Sequence, residues 1–482
     1  MASPTCTFLL ITGLISVTAT AAPLDFETEG RLKMAYQIAR EHNDESLVRQ
    51  VKSAAEAISA GTDEGARESL LRQAEVAVGI DPGGWSMAGQ PLFHPSPGLL
   101  EKAEKASAQL DAALRAGSVE QVSSVITGWK TILGDQAGLP DGRRPGVHPR
   151  PLTINEVDAT KLFVNALKSE ARTVRQLTSG SPLPDQMVRV YSYLLEGIVT
   201  IRPFTLQHTP DDMAALDALA RGIAKILVTL QQPEGHFPFP DLRGKNIRFG
   251  DMLNKQLAAG TIQVREGWVI TADPDGGSQF DTGLCGTTLL RAGKVYNEPS
   301  WIMAGLRSAD WAIGQRCVTN FNYNAFSVSL LANAFTASKD TKYLDAALAK
   351  FALGVAPGQT STGRWIDPHN ARTVYHNIIL RSIGDLLAAI PVEETGKISK
   401  IKAIGLPAIN SLVSEFEAMG ITVECLPELL SLQVHFPDHS GLNAAIDQVA
   451  ASIIEKSTDG TRVKMGAQPH QLAAVAARLR KD

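Results

Sequence analysis

The chain has 482 residues, long enough for about three average domains or for one large fold. Hydrophobic residues make up 44% and charged residues 20%, ordinary globular values that exclude a disordered, collagenous or multi-span membrane protein. With 46 Lys and Arg against 50 Asp and Glu, the net charge of −4 gives no general attraction to nucleic acid or anionic lipid.

The first element is an apolar run, Phe8 to Val17, followed by the small residues Ala19 to Ala22 ahead of Pro23. This is the pattern of a secretory signal peptide over residues 1–22, although Met1 to Thr7 lacks the usual Lys or Arg. The run is too short to span a bilayer. The expectation is an exported protein, periplasmic or extracellular. Cys6 precedes the apolar run, so no lipid-attachment cysteine is predicted. Cys285, Cys317 and Cys425 then remain; they allow one disulfide at most within a monomer and read as small buried apolar residues.

Residues 23–137 read as an N-terminal helical region, with helices over Leu32 to Ala60, Glu64 to Val78, Gly98 to Arg115 and Val119 to Leu133. A Gly/Pro segment, Pro82 to Pro97, interrupts them. Residues 138–154, with Pro140, Pro145, Pro149 and Pro151, form the best linker candidate. Residues 155–391 carry the main helical body. Leu216, Leu219, Ile223, Ile226 and Leu230 follow the three-four spacing of an amphipathic helix, and Tyr375, Ile379, Ile383, Leu386 and Ile390 repeat it. Between the helices lie long loops, Gln232 to Gly244, Ala272 to Gly277 and Gly358 to Asp367, and loops of this length are often functional. One short strand is expected over Ile262 to Ile270. Residues 392–482 read as a further helical region.

Asn297-Glu-Pro-Ser-Trp301 leads into Ala304 and Ala309, and Lys339-Asp-Thr-Lys-Tyr343 leads into Ala346 and Ala347. Trp301 and Tyr343 are 343 − 301 = 42 residues apart, about one helical hairpin with its connection. Stacked hairpins of this kind form an open solenoid or a closed α/α barrel. The stretch Thr336 to Ala347 resembles the hairpin turn of α/α-toroid carbohydrate-active enzymes, the six-hairpin glycosidases and toroid polysaccharide lyases. Gln231-Gln-Pro-Glu-Gly235-His-Phe237 is similar to the Q-x-x-x-G-x-aromatic element that closes helix ends in such toroids and in terpene cyclases. The resemblance covers roughly residues 155–391. It implies an all-α fold of helical hairpins forming a toroid or incomplete toroid, completed or capped by residues 392–482, with substrate held by loops at one end.

Several polar clusters are candidates for chemistry. Asn320-Phe-Asn322-Tyr323-Asn324 opens a helix, where asparagines either cap the helix or face a ligand. Arg364-Trp365-Ile366-Asp367-Pro368-His369-Asn370-Ala371-Arg372 precedes Tyr375 and His376. Trp365 offers a face for a sugar ring, and Arg364, Arg372 and His369 suit an acidic group; alternatively His369 or Asn370 caps the next helix and Asp367 pairs with Arg372. His369 is the less favourable cap of the two, which points to a functional role. His236 and Phe237 lie in a loop, where the histidine either binds sugar or satisfies loop carbonyls. Asp273, Asp275 and Asp281 surround a Gly-Gly turn, a pattern that caps helices, binds hard cations or supplies a glycosidase carboxylate. The spacing falls short of an EF-hand. No P-loop, dinucleotide fingerprint, H-E-x-x-H, paired C-x-x-C or nucleophile elbow occurs, and no metal or other cofactor is predicted.

What the resemblance implies is an exported enzyme acting on a polysaccharide or oligosaccharide, with no nucleic-acid partner. As a lyase cleaving a uronate-containing glycan by β-elimination it would use Tyr323 or Tyr375 as acid/base, Asn322 and His369 at the carboxylate and Arg372 as orienting cation. His236, Phe237, Asn324, Arg364, Trp365 and His376 would bind substrate. A glycoside hydrolase on the same scaffold would draw its two carboxylates from Asp275, Asp281, Asp310 and Asp367. A non-catalytic helical module binding glycans or another protein is the third reading.

Overall fold

A computed structural model describes residues 32, 35, 36, 39, 45–77, 108–133, 149–151, 153–243, 247–271, 276–365, 373–421, 423–458 and 467–480. The expected signal peptide, the Gly/Pro segment 82–97 and most of the linker 138–154 lie outside the described residues.

The protein is predominantly helical, as the composition and periodicity predict. Helices α1 (Glu45–Ser59) and α2 (Glu64–Ala77) bury Val48, Val51, Ile58 and Leu71 in a cluster shared with Leu32, Ala35, Tyr36 and Ala39. The helix over 108–116 and α3 (Val119–Leu133) instead place Leu110, Leu114, Val122 and Ile126 in the main core. The N-terminal helices, read from sequence as one region, therefore belong to two apolar clusters.

The main body continues with α4 (Glu156–Ser169), α5 (Ala171–Thr178), α6 (Val188–His208), α7 (Met213–Leu230) and α8 (Ile247–Ala258). Asn155 caps α4, accepting from the Asp158 N–H at 2.9 Å. Next come α9 (Ser278–Val295), α10 (Pro299–Gly314), α11 (Phe321–Ser338), α12 (Thr341–Gly354) and α13 (Thr373–Ala389). The chain ends in α14 (Thr395–Met419), α15 (Leu426–Gln433), α16 (Ser440–Thr458) and α17 (Ala467–Leu479). Among the described residues no helix is long and apolar enough to cross a membrane.

The expected single strand is a hairpin. β2 (Ile262–Arg265) and β3 (Trp268–Thr271) pair antiparallel, and β1 (Phe239–Pro240) adds to the other edge of β3. Glu266 and Gly267 both have positive φ, 50° and 81°, which a tight hairpin turn requires.

Helix α6 packs on α9, α9 on α11, α11 on α13, α13 on α15, α15 on α17, and α17 returns to α6. Side chains on neighbouring members of this set meet in rising order. Arg189 bonds Asp281, Ser192 bonds Thr288, and Glu196 bonds Arg291 along α6 and α9; Gln279 bonds Ser327 and Arg291 bonds Asn333 along α9 and α11. Neighbours paired in this order run parallel. α9 and α11 are buried on nearly every side, as helices enclosed by others must be. Each packs against a following helix, α9 against α10, α11 against α12 and α13 against α14. Trp301 and Tyr343, 42 residues apart, are both buried at the third position of consecutive members of that second set, α10 and α12.

The connections differ at the two ends of the parallel helices. α9 reaches α10 through residues 296–298, and α11 reaches α12 through 339–340. The chain returns to α9 through 231–277 and to α13 through 355–372. The long segments therefore arrive at the N-terminal ends of the parallel helices.

Two of those segments are anchored alike. The Gln231 side-chain amide donates to the carbonyls of Gly235 at 3.1 Å and Ala304 at 2.8 Å. The Gln359 amide donates to those of Gly363 at 3.3 Å and Ile404 at 2.8 Å. A Cβ on Gly235 would lie 2.3 Å from the Arg307 carbonyl oxygen, and one on Gly363 2.1 Å from that of Pro407. Both glycines have positive φ, 106° and 83°, so a side chain is excluded by torsion and by space. Phe237 and Trp365, two residues further on, are buried.

Candidate active site

The first turns of the parallel helices bring together Arg189, Tyr193, Asp281, Tyr323 and Glu428. Arg189, at the second position of α6, donates through Nε and Nη2 to both Asp281 oxygens at 2.8 Å. Its guanidinium lies 3.8 Å from the Phe280 ring centroid, and Phe280 stacks on Phe326 at 4.3 Å. Burial draws the Arg189 pKa down, but Asp281 outweighs it with help from the Tyr193 and Tyr323 phenols, and the guanidinium is held above its ordinary value. Tyr193, one turn later, stacks on His470 of α17 at 5.8 Å. Burial pushes its phenol up to about 12, so it stays protonated at neutral pH.

Beneath these residues lies a network drawn from α6, α9, α11 and α13, with α15 and α17 at its edge. Glu196 accepts from Arg291 at 2.5 Å and from Arg381 at 2.7 Å. Asp385 accepts from Arg291 at 2.5 Å and from the Ser329 hydroxyl. Burial alone would raise the Glu196 pKa, but Arg381, His470 and Arg291 hold it well below the carboxylate range. His470 is pushed the other way, down to about 4, chiefly by burial and against the pull of Glu196. Glu428, on α15, is 3.9 Å from Arg381. Burial raises its pKa, Arg381 opposes, and Glu196 and Asp385 add to the rise.

The residues singled out from sequence fall into three groups. Asn322 is buried at the start of α11, its Oδ1 without a hydrogen-bond partner among the described residues. Tyr323 beside it and Tyr375 at the start of α13 are half-buried. All three lie in the first turn of their helices.

The second group holds structure together. Asn324 is a clamp, bonding both the N–H and the carbonyl of Val318 and the Gly354 carbonyl. Arg364 is fully buried, paired with Glu415 and donating to Ser411 at 3.1 Å. Trp365 is also fully buried and donates to the Val355 carbonyl at 2.7 Å, so it presents no face to a sugar. His376 donates through Nε2 to the Ala408 carbonyl at 2.9 Å, and burial with Arg364 nearby lowers its pKa far enough to keep it neutral. Phe237 is core. His236 stacks on Trp311 of α10 at 5.7 Å, burial lowers its pKa, and neither ring nitrogen bonds a loop carbonyl among the described residues. Asp281 is committed to Arg189. Asp310, on α10, is half exposed and accepts from Tyr343 and Lys342, both at 2.9 Å.

The third group, Asp273, Asp275, Asp367, His369, Asn370 and Arg372, lies outside the described residues. Arg189, Tyr193, Arg381 and Glu428 were not identified from sequence. Arg189, Tyr193 and Glu428 lie in the first two turns of their helices, whereas Arg381 sits in the middle of α13. Among the described residues no group of three or more His, Cys, Asp or Glu side chains is placed to hold a metal ion. Cys285, Cys317 and Cys425 are buried and unpaired, with thiol pKa values raised mainly by burial. Comparison of the sequence with protein-family models and with curated proteins finds no match.

Proposed function

We propose that the protein is an exported α/α-toroid carbohydrate-active enzyme, a polysaccharide lyase that cleaves a uronate-containing glycan by β-elimination. The succession of helix neighbours from α6 through α17 and back to α6 supports the toroid, and the pattern of residues 1–22 supports export. The observation that carries the reaction is an arginine, Arg189, fixed by Asp281 beside two tyrosines, Tyr193 and Tyr323.

Elimination needs a cation at the uronate carboxylate, a base for the adjacent proton and an acid for the leaving oxygen. Arg189 Nη1 makes no hydrogen bond among the described residues and is available to the carboxylate. The converging helix N-termini favour the same negative charge, and the unpaired Asn322 Oδ1 suits a sugar hydroxyl donor. Tyr193, kept protonated by burial, suits the acid, and Tyr323, whose phenol also acts on the arginine, suits the base.

Hydrolysis would need two available carboxylates. Asp281, Glu196 and Asp385 are each bonded to arginine, which leaves Glu428 as the one carboxylate of this group without such a bond, one short of the pair hydrolysis needs. Incubating the purified chain with uronate and neutral polysaccharides tests the reading. Rising ultraviolet absorbance from an unsaturated product is expected. Reducing ends without that absorbance would select hydrolysis, and neither signal would select a non-catalytic module.

A further inference from the structure

We infer that Glu428, Arg381 and Tyr193 form a subsite for a vicinal pair of sugar hydroxyls, placed on the floor of the site and separate from the arginine that takes the uronate carboxylate. The inference rests on the reading of the site as carbohydrate-active and names a specificity-determining residue within it.

The three residues share unused hydrogen-bonding capacity. Glu196, Asp281 and Asp385 each accept a bond of 2.8 Å or shorter from an arginine. The Glu428 carboxylate accepts no hydrogen bond from another residue among the described residues. Its nearest cation, Arg381 Nη1, stands at 3.9 Å, beyond hydrogen-bond range. Arg381 spends Nη2 on Glu196 and lies 3.9 Å from Asp385 through Nε, so Nη1 is a donor left without a hydrogen bond among the described residues. Tyr193 stacks on His470, and its hydroxyl makes no hydrogen bond among the described residues.

A half-buried carboxylate and a guanidinium that stand close without a hydrogen bond each keep capacity for an outside partner. Glu428 is 13% exposed and belongs to the first turn of α15, the end at which the long connecting segments arrive. The arrangement supplies an acceptor with two oxygens, a cationic donor and a phenol within one wall. A diol matches it, because two hydroxyls donate to the carboxylate while their oxygens accept from Arg381 and Tyr193.

Isothermal titration of the full chain with uronate-containing and neutral oligosaccharides is compared for the wild type and Glu428→Gln. Glutamine keeps the shape and removes the charge, so binding is expected to weaken about tenfold or more, as for a hydrogen bond to a charged group. On any substrate that the enzyme cleaves, the same loss is expected as a rise in KM of about tenfold or more. Circular dichroism confirms that the variant is folded. Oligosaccharide affinity equal to wild type in folded Glu428→Gln overturns the subsite and leaves the lyase reading standing. Charge-dependent binding without any unsaturated product upholds the subsite and removes the lyase. No heat from any sugar overturns the subsite.

Discussion

Single residues in this protein are best understood by asking which charges are already neutralised. Arg189 and Tyr323 are the groups on which the proposed elimination depends. Tyr323→Phe is expected to lower kcat by about 10² or more with the melting temperature nearly unchanged, since the hydroxyl belongs to a half-buried side chain at a helix start. Initial rates on a confirmed substrate check this. His470 makes a separate prediction. Its folded pKa, about 4, is below the ordinary 6.5, so between those values the unfolded chain binds the proton and the folded chain does not. Stability therefore falls as pH drops from 6.5 to 4, by roughly 3 kcal/mol from this group. It is level with respect to this group above and below that window. Urea unfolding at pH 7 and pH 4.5 should show His470→Gln with a shallower decline than wild type.

Sequence reading reached some of these residues and missed others for a physical reason. Asn320 and Asp340, local caps at the starts of α11 and α12, are legible because the cap and the N–H that donates to it lie within a few residues. The segment from Arg364 to Trp365 was attractive because it gathers functional residue types, but composition cannot separate a buried latch from a binding site. Arg364 finds its counter-charge at Glu415, 51 residues away. The site residues that escaped notice depend on pairings longer still. Arg381 and Glu196 are 185 residues apart, a distance at which sequence order says nothing about contact.

At the scale of elements, the two glutamine-glycine anchors carry the long segments. Only the first, Gln231 to Phe237, was identified from sequence. The second, Gln359-Thr-Ser-Thr-Gly363-Arg-Trp365, has the same spacing and was instead read as part of a polar cluster. Gly235→Ala and Gly363→Ala are each expected to destabilise the protein by about 2–5 kcal/mol, from left-handed torsion and a clash with backbone. Gly260 has φ 70° with nothing within 4 Å of an added Cβ, so Gly260→Ala should cost only the torsional part, about 1 kcal/mol. Chemical denaturation of the three variants measures the difference. The β2–β3 hairpin illustrates the opposite error, in which one apolar stretch hides a two-residue turn at Glu266 and Gly267.

For the whole molecule, the helical class and the hairpin period follow from patterning, whereas the return of α17 to α6 does not. Only the last helix makes that contact, and it buries Leu472, Ala473, Ala474, Val475 and Ala476. Ending the chain at residue 458 should therefore prevent cooperative folding, because it uncovers α4 and α6 together. By contrast, α1 and α2 form an apolar cluster of their own, so a chain beginning at residue 78 should retain a single cooperative thermal transition. Calorimetry of both truncations tests the contrast.

The unequal connections at the two ends of the parallel helices have a consequence for how such a protein diversifies. Short turns such as 296–298 and 339–340 set the hairpin geometry and tolerate little change in length. The segments 231–277 and 355–372 can be exchanged without altering which helices are neighbours, since loop length adds only slowly to the entropy of closure. Inheritance of the scaffold and innovation in specificity are thereby assigned to opposite faces, and descendants could acquire new ligands by loop replacement while keeping the same helical frame.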